Sequence, residues 1–277
     1  MAHILTSRAI EQITMILSAI VLIILGFSVV GAIFGSVIGF FSSLISVIII
    51  LHKYFLDIFQ GMLKLKMDFK EEIKIAYKII SFSIPVILTA ISEIGIYSMT
   101  TTIMPLFITI SEIGYFGIAE PIARLPLMIS NSLATTILPV TSEMFASKNT
   151  NILKKYMFNA LRYNLIIMVP ICLFIMIFSK EVLLVMFFTK PFYSKGANVL
   201  TILTLGMFFY SIFAITSSMI QGAGKPKSSM YLLIGGFIQI LLLSFIFIPY
   251  FGVNGGAIST TLTTATMTSI NFINLFK

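Results

Sequence analysis

The chain has 277 residues, 58% of them hydrophobic and 10% charged, with a formal net charge of +8 and a mean hydropathy of +1.06. A soluble domain carries about 25% charged residues, so the composition excludes a soluble globule and points to an all-α, polytopic transmembrane helix bundle. The positive charge in so apolar a chain fits basic loops on anionic membrane lipids and argues against nucleic acid as a partner. Cys172 is the single cysteine, which excludes an intrachain disulfide, and His3 and His52 lie too far apart in sequence to suggest a histidine metal centre. Trp is absent, so Tyr and Phe must supply any interfacial belt.

A spanning helix needs about 20 mostly apolar residues, and the chain offers about eight such stretches. In order they are Ile13–Val30, Gly31–Leu51, Ile79–Pro105, Ile113–Val140, Phe158–Phe178, Ala197–Gln221, Ser228–Pro249 and Gly255–Phe276. The first two are joined by a very tight turn. The first apolar run lacks the basic flank and small-residue cleavage pattern of a secretory signal. Between His52 and Lys78 the chain is charged. Phe55, Ile58, Phe59, Met62 and Leu63 recur there at helical spacing among lysines. This pattern predicts an amphipathic helix on the inner membrane face, against the simpler reading of a charged loop. The organisation is thus a helix pair over 1–52, a connecting segment over 53–78 and a six-helix unit over 79–277.

Lys and Arg set the orientation. With the N-terminus inside, the inner side carries Arg8, Lys53, Lys64, Lys66, Lys70, Lys74, Lys78, Lys148, Lys154, Lys155, Lys225, Lys227 and Lys277. The outer side carries Lys180, Lys190 and Lys195. The asymmetry places both termini in the cytoplasm of a cell whose plasma membrane the chain crosses several times.

Charges inside the apolar stretches mark candidate sites, because each costs roughly 2.5–3.5 kcal/mol at bilayer depth by insertion scales. Glu120 and Arg124 are four residues apart in the fourth span and share a helix face in the favourable order. Pro121 removes one backbone hydrogen bond there and frees a carbonyl near Gly117. A carboxylate, a guanidinium and a free carbonyl can bind a cation, a proton or a phosphate, the guanidinium being the better fork for phosphate oxygens. The plainer reading is an ion pair bracing a kinked helix. Glu93 lies near the middle of the third span with no cation nearby in sequence. It reads either as a proton carrier in the same cavity or as a neutral carboxyl packed between helices. Arg162 lies one turn into the fifth span, where it either snorkels to headgroups or meets an anionic head group at the inner mouth.

Other signals concern packing. Gly31, Gly35 and Gly39 form a G-x-x-x-G-x-x-x-G run that lets a second helix approach closely, whether the first helix or another chain. The last span is rich in Ser and Thr from Ser259 to Ser269, hydroxyls that can bond their own backbone or a neighbouring helix. The run from Gly222 to Ser228 lacks the spacing of a phosphate-binding loop and reads as a short cytoplasmic turn. No nucleophile–base set, metal-ligand spacing or dinucleotide fingerprint appears, so nothing supports an enzyme or a bound cofactor.

Three segments resemble one family. "SEIGYFGIAEPIARLPLMISNSLATTILPVTSEMFA" is similar to the seventh-to-eighth helix region of polysaccharide-transport flippases of the Wzx or PST type. "MIQGAGKPKSSMYLLIGGFIQILLLSFIFIPYFGVNGGAISTTLT" resembles their tenth-to-twelfth helix segment, and "TSRAIEQ" with the following helix pair looks like their fourth-to-sixth helix region. These flippases belong to the MOP exporter superfamily, which includes the MATE drug exporters. The resemblance implies two pseudo-symmetric six-helix lobes that work by alternating access. It implies export of polyprenyl-diphosphate-linked oligosaccharide from the cytoplasmic to the outer leaflet. It further implies that Arg124, with Glu120 and Arg162, meets the lipid diphosphate and that Glu93 or Glu120 couples transport to Na+ or H+. Against the family pattern, the first four helices have no counterpart in this chain. The resemblance then implies a partial form, completed by a missing N-terminal lobe or a second copy. Many relatives also carry an acidic residue near the end of the seventh helix, where this chain has the uncharged run from Tyr97 to Thr102. Two other readings remain: a MATE-like cation-coupled exporter of small organic molecules, which Arg124 argues against, and a non-transporting membrane subunit or fragment whose charges are structural.

Overall fold

The computed structural model describes residues 2–62, 69–147, 150–188 and 191–275. Helix accounts for nearly all of them, and no strand occurs among the described residues. The chain divides into two compact units, Met1–Ala76 and Tyr77–Lys277.

The first unit is dominated by a helical hairpin, α1 (Ala2–Leu22) and α2 (Ser28–Met62). The chain reverses through Ile23–Phe27, where Gly26 takes φ +94° and Ser28 φ 46°. Gly26 is the residue that makes this left-handed step inexpensive. The reversal therefore comes earlier than the boundary expected at Val30–Gly31. The glycine run then packs α2 on α1. A methyl group added at Gly35 would lie 2.7 Å from Ala19, and one at Gly39 would lie 2.7 Å from Met15. The partner of the glycine face is the first helix of the same chain. Arg8 and Glu11 form a 3.3 Å ion pair within α1, with Glu11 buried.

The amphipathic stretch expected after His52 is no separate helix. Phe55 to Met62 continues α2 without a break, and Leu63 lies outside the described residues.

The second unit comprises most of α3 (Phe69–Ile103), then α4 (Ile110–Arg124), α5 (Leu127–Ala146), α6 (Thr150–Ile177), α7 (Ser179–Met186), α8 (Ala197–Gly222), α9 (Pro226–Phe251) and α10 (Val253–Leu275). The spans expected fifth to eighth correspond closely to α6, α8, α9 and α10. The fourth does not: it is two helices, broken at Leu125–Pro126. Pro126 has no N–H to give to Ile122, so the chain tightens into short-range bonds there, Leu125 N–H to Ile122 and Met128 N–H to Leu125 at 3.2 Å each. Pro121, the expected kink, is carried inside α4 without ending it. The short helix α7 and a 3-10 turn at Pro191–Gly196 also went unforeseen.

By length and apolar composition, five helical stretches among the described residues can cross a membrane, the first being the α1–α2 hairpin over Ser7–Ile50. The chain is a multi-pass membrane protein. Of the remaining long elements, α4 is short, and α5 and α10 are diluted by Ser, Thr and Asn. Most of those of α10 face inward, whereas Asn131, Ser132, Thr135 and Thr136 of α5 are exposed. Thr204, Ser211 and Thr216 of α8, and Ser259, Thr260, Thr263, Thr264 and Asn271 of α10, are all buried. Ile, Leu and Phe line the exposed faces instead, for example Leu173 and Phe174 of α6 and Leu242 and Phe245 of α9. This inverts the arrangement of a soluble domain and suits a lipid solvent.

Helix α8 is the axis of the second unit and packs against α4, α5, α6, α9 and α10. Its core residues Leu200, Leu203, Met207 and Phe213 join Ile96 of α3, Phe116 of α4, Met168 of α6, Ile240 of α9 and Met267 of α10. Small residues set the close approaches. Gly206 lies against Thr261 of α10, and Gly95 of α3 lies under the Phe237 ring of α9. Hydroxyls then bond across helices: Thr261 donates to the Ile202 carbonyl (2.7 Å) and Thr268 to the Phe209 carbonyl (2.8 Å). The expected role of the Ser/Thr-rich last helix holds, with both local and cross-helix bonds present.

Candidate functional site

Helix α4 begins at Thr109, whose hydroxyl donates to Glu112 Oε2 at 2.9 Å, and whose N–H reaches the same oxygen at 3.2 Å. This closes the first turn with a side-chain carboxylate. The helix buries Phe116, Ala119, Ile122 and Ala123. The two alanines let α8 come close. Glu120 and Arg124 flank that stripe on the last two turns. Arg124 ends the helix, where the carbonyl end of the helix dipole favours a cation.

The pair is in contact: Arg124 Nη2 lies 3.5 Å from Glu120 Oε1, with the side chains 36% and 18% exposed. The contact is long, and among the described residues no hydrogen bond from Arg124 to a protein acceptor is formed. Its Nε is buried without an acceptor. The main contact of Arg124 with another helix is a stacking one. The guanidinium carbon sits 3.5 Å from the centre of the Tyr97 ring of α3, a cation–π geometry.

Tyr97 in turn meets the edge of Tyr210, ring centres 5.4 Å apart and planes at 73°. The Tyr210 hydroxyl donates to Glu93 Oε1 at 2.8 Å. Glu93 precedes Tyr97 by four residues on α3, so both lie on one face of that helix. Five side chains from three helices therefore form one line: Glu120, Arg124, Tyr97, Tyr210, Glu93. Tyr210 is near the middle of α8, and Arg124 stands at the α4–α5 break.

Of the residues singled out in the sequence, Glu93, Glu120 and Arg124 come together through this line. Arg162 does not join it. It is exposed on α6 and forms no ion pair among the described residues. The two tyrosines that complete the line were missed. In sequence Tyr97 stands out only as the start of an uncharged run, and a tyrosine in an apolar helix has no periodic mark to separate it from core. The i, i+4 spacing of Glu93 and Tyr97 is the signal that was available.

A second buried polar line connects α5, α6 and α8. Ser130 donates to Asn164 Oδ1 (2.7 Å), and Asn164 Nδ2 donates to Ser211 (3.3 Å). Among the described residues, no three His, Cys, Asp or Glu side chains gather as metal ligands.

Comparison with known proteins supplies the family. The family model described as lipid II flippase MurJ matches residues 5–277. A "Probable low-salt glycan biosynthesis flippase" of Haloferax volcanii is 24% identical over 186 residues, covering 66% of this chain and 39% of that protein. A lipid II flippase MurJ of Bacillus subtilis is 22% identical over 144 residues, covering 52% of this chain and 26% of the relative. Among solved structures, a MurJ lipid II flippase in an inward closed conformation matches with a TM-score of 0.69 at 17% identity, covering 98% of this chain and 55% of that one. An inward-facing multidrug-resistance MATE transporter of the MOP superfamily matches with a TM-score of 0.75 at 19% identity, covering 96% and 62% respectively. At these identities the structural likeness speaks to the fold alone. The chain spans less than two thirds of the length of these relatives. The family match runs across nearly the whole chain: the chain belongs to the lipid II flippase MurJ family.

Proposed function

We propose that this chain is the substrate-handling helix bundle of a flippase that moves polyprenyl-diphosphate-linked oligosaccharide across the plasma membrane toward its outer face. The observation that carries the reading is Arg124. It is a partly exposed guanidinium among apolar helices, stacked on Tyr97 by its face, with its N–H edge hydrogen-bonded to no protein acceptor among the described residues. A planar fork with unused donors matches phosphate oxygens. Family membership and the glycan flippase among the relatives support a lipid-linked sugar as cargo.

Glu120 is the proposed coupling carboxylate. A proton or Na+ on it competes with Arg124 for the same charge, which would free the guanidinium for the diphosphate. Glu93 is the second coupling carboxyl, held by Tyr210. Arg162, exposed on α6, is proposed as a first contact for the head group at the cytoplasmic side. The Lys and Arg distribution supports both termini facing the cytoplasm. No catalytic chemistry is proposed. The chain spans less than two thirds of the length of these relatives, and alternating access is proposed for it only together with a further lobe.

The MATE-like alternative, export of organic cations, has the fold likeness in its favour. A cation placed at the centre of the site weighs against it.

Expression in a flippase-deficient host tests the proposal, with the chain alone and with an N-terminal lobe from a relative. Outer-leaflet delivery of the host's lipid-linked glycan is scored, using the chain's own glycan where the host sugar differs. Delivery that depends on Arg124 supports the reading. Delivery of a cationic dye but of no lipid-linked glycan would favour the alternative.

A further inference from the structure

We infer that Tyr97 is a positioning residue for the Arg124 guanidinium, and that Tyr210 and Glu93 hold Tyr97 in that position. The inference rests on the reading of Arg124 as the diphosphate donor.

Arginine is a long side chain with several rotatable bonds, and a phosphate fork is useful only when held still. Glu120 cannot do this alone. It sits on the same helix as Arg124, four residues back, and the 3.5 Å contact is no directional hydrogen bond. Tyr97 comes from a different helix and fixes the guanidinium plane relative to the bundle. The way it does so matters. A carboxylate partner takes the N–H edge that a phosphate would need, whereas an aromatic ring takes the face and leaves the edge free.

Tyr97 is itself held. The Tyr210 ring meets it edge-on at 5.4 Å, and the far tip of Tyr210 is tied to Glu93 by the 2.8 Å hydrogen bond. Glu93 and Tyr97 lie one helical turn apart on α3, so Tyr210 bridges both points on one face. The Tyr97 ring cannot rotate freely without displacing Tyr210, and Tyr210 is anchored at its hydroxyl. The pattern accounts for two aromatic residues and a carboxyl that a bare phosphate site would not require.

The test uses the whole chain in nanodiscs and a fluorescent polyprenyl diphosphate as the probe. Phenylalanine keeps the ring face, so Tyr97→Phe should bind within about twofold of wild type. Leucine keeps bulk and loses the face, so Tyr97→Leu should bind roughly 2- to 30-fold more weakly. A graded series separates positioning from packing even if Tyr97→Leu misfolds. Phenylalanines carrying increasing numbers of ring fluorines at position 97 should lower affinity step by step, with the melting temperature unchanged. Affinity that ignores fluorination, while Arg124→Ala still abolishes binding, overturns this inference and leaves the phosphate reading standing. Unchanged binding by Arg124→Ala, or no binding by the wild-type chain, overturns both.

Discussion

The Tyr210 hydroxyl donates a 2.8 Å hydrogen bond to Glu93 Oε1, tying the middle of α8 to α3 across 117 positions of sequence. A half-buried carboxyl among apolar helices gains from such a donor, because leaving it unpaired costs free energy. Tyr210→Phe should therefore lower stability by about 0.5–2 kcal/mol, read as a lower melting temperature in detergent. Glu93→Gln keeps an acceptor for the same hydroxyl and should cost less. Equal melting temperatures for Tyr210→Phe and wild type would show that the bond contributes nothing.

Gly35 is one of the closest approaches of the α1–α2 hairpin, its missing side chain facing the Ala19 backbone. Gly35→Ala is expected to destabilise the hairpin by about 1–3 kcal/mol through overpacking. Gly114→Ala in α4 meets nothing within 4 Å and should be neutral or stabilising by up to about 1 kcal/mol through helix propensity. Protease resistance of the two variants in membranes measures the difference. The same resistance in both would mean that the glycine face is not the hairpin's contact.

Asn164 bridges Ser130 and Ser211 at the junction of α5, α6 and α8. Asn164→Ala removes both bonds and leaves the buried Ser130 hydroxyl without its acceptor, while Ser211 still donates to the Phe208 carbonyl, at a cost of about 1–2 kcal/mol. Ser130→Ala should cost less, since Asn164 keeps its bond to Ser211. Double-mutant cycles on melting temperature would give a coupling near zero if the line were incidental.

Glu120→Gln removes the charge that faces Arg124. Binding of a polyprenyl diphosphate should stay equal or tighten, while transport should lose its dependence on a Na+ or proton gradient. Gradient-dependent transport at the wild-type rate in this variant would remove Glu120 from the coupling role.

Much of the fold was legible because its signals are local. Apolar runs gave the spans, Gly31, Gly35 and Gly39 gave the hairpin contact, and Gly224 with Pro226 marked the turn into α9. The break at Leu125–Pro126 was not read because a proline inside an apolar run either kinks or interrupts a helix, and Pro121, next to the charge, drew the expectation instead. The hairpin turn was misplaced because Gly26 looks in sequence like any small residue of a membrane helix. In the site, Glu120 and Arg124 were readable from their spacing on one helix. The link to Glu93 was not, since it runs through Tyr210, which is far away in sequence and known only once α8 is laid against α3.

The central claim is that the Arg124 guanidinium receives the lipid diphosphate, and direct binding tests it. The purified chain in nanodiscs would be titrated with a fluorescent polyprenyl diphosphate, comparing wild type, Arg124→Lys and Arg124→Ala at equal membrane insertion. Loss of binding in Arg124→Ala, with only partial retention in Arg124→Lys because an ammonium lacks the planar fork, is the expected result. Wild-type affinity in Arg124→Ala would contradict the account.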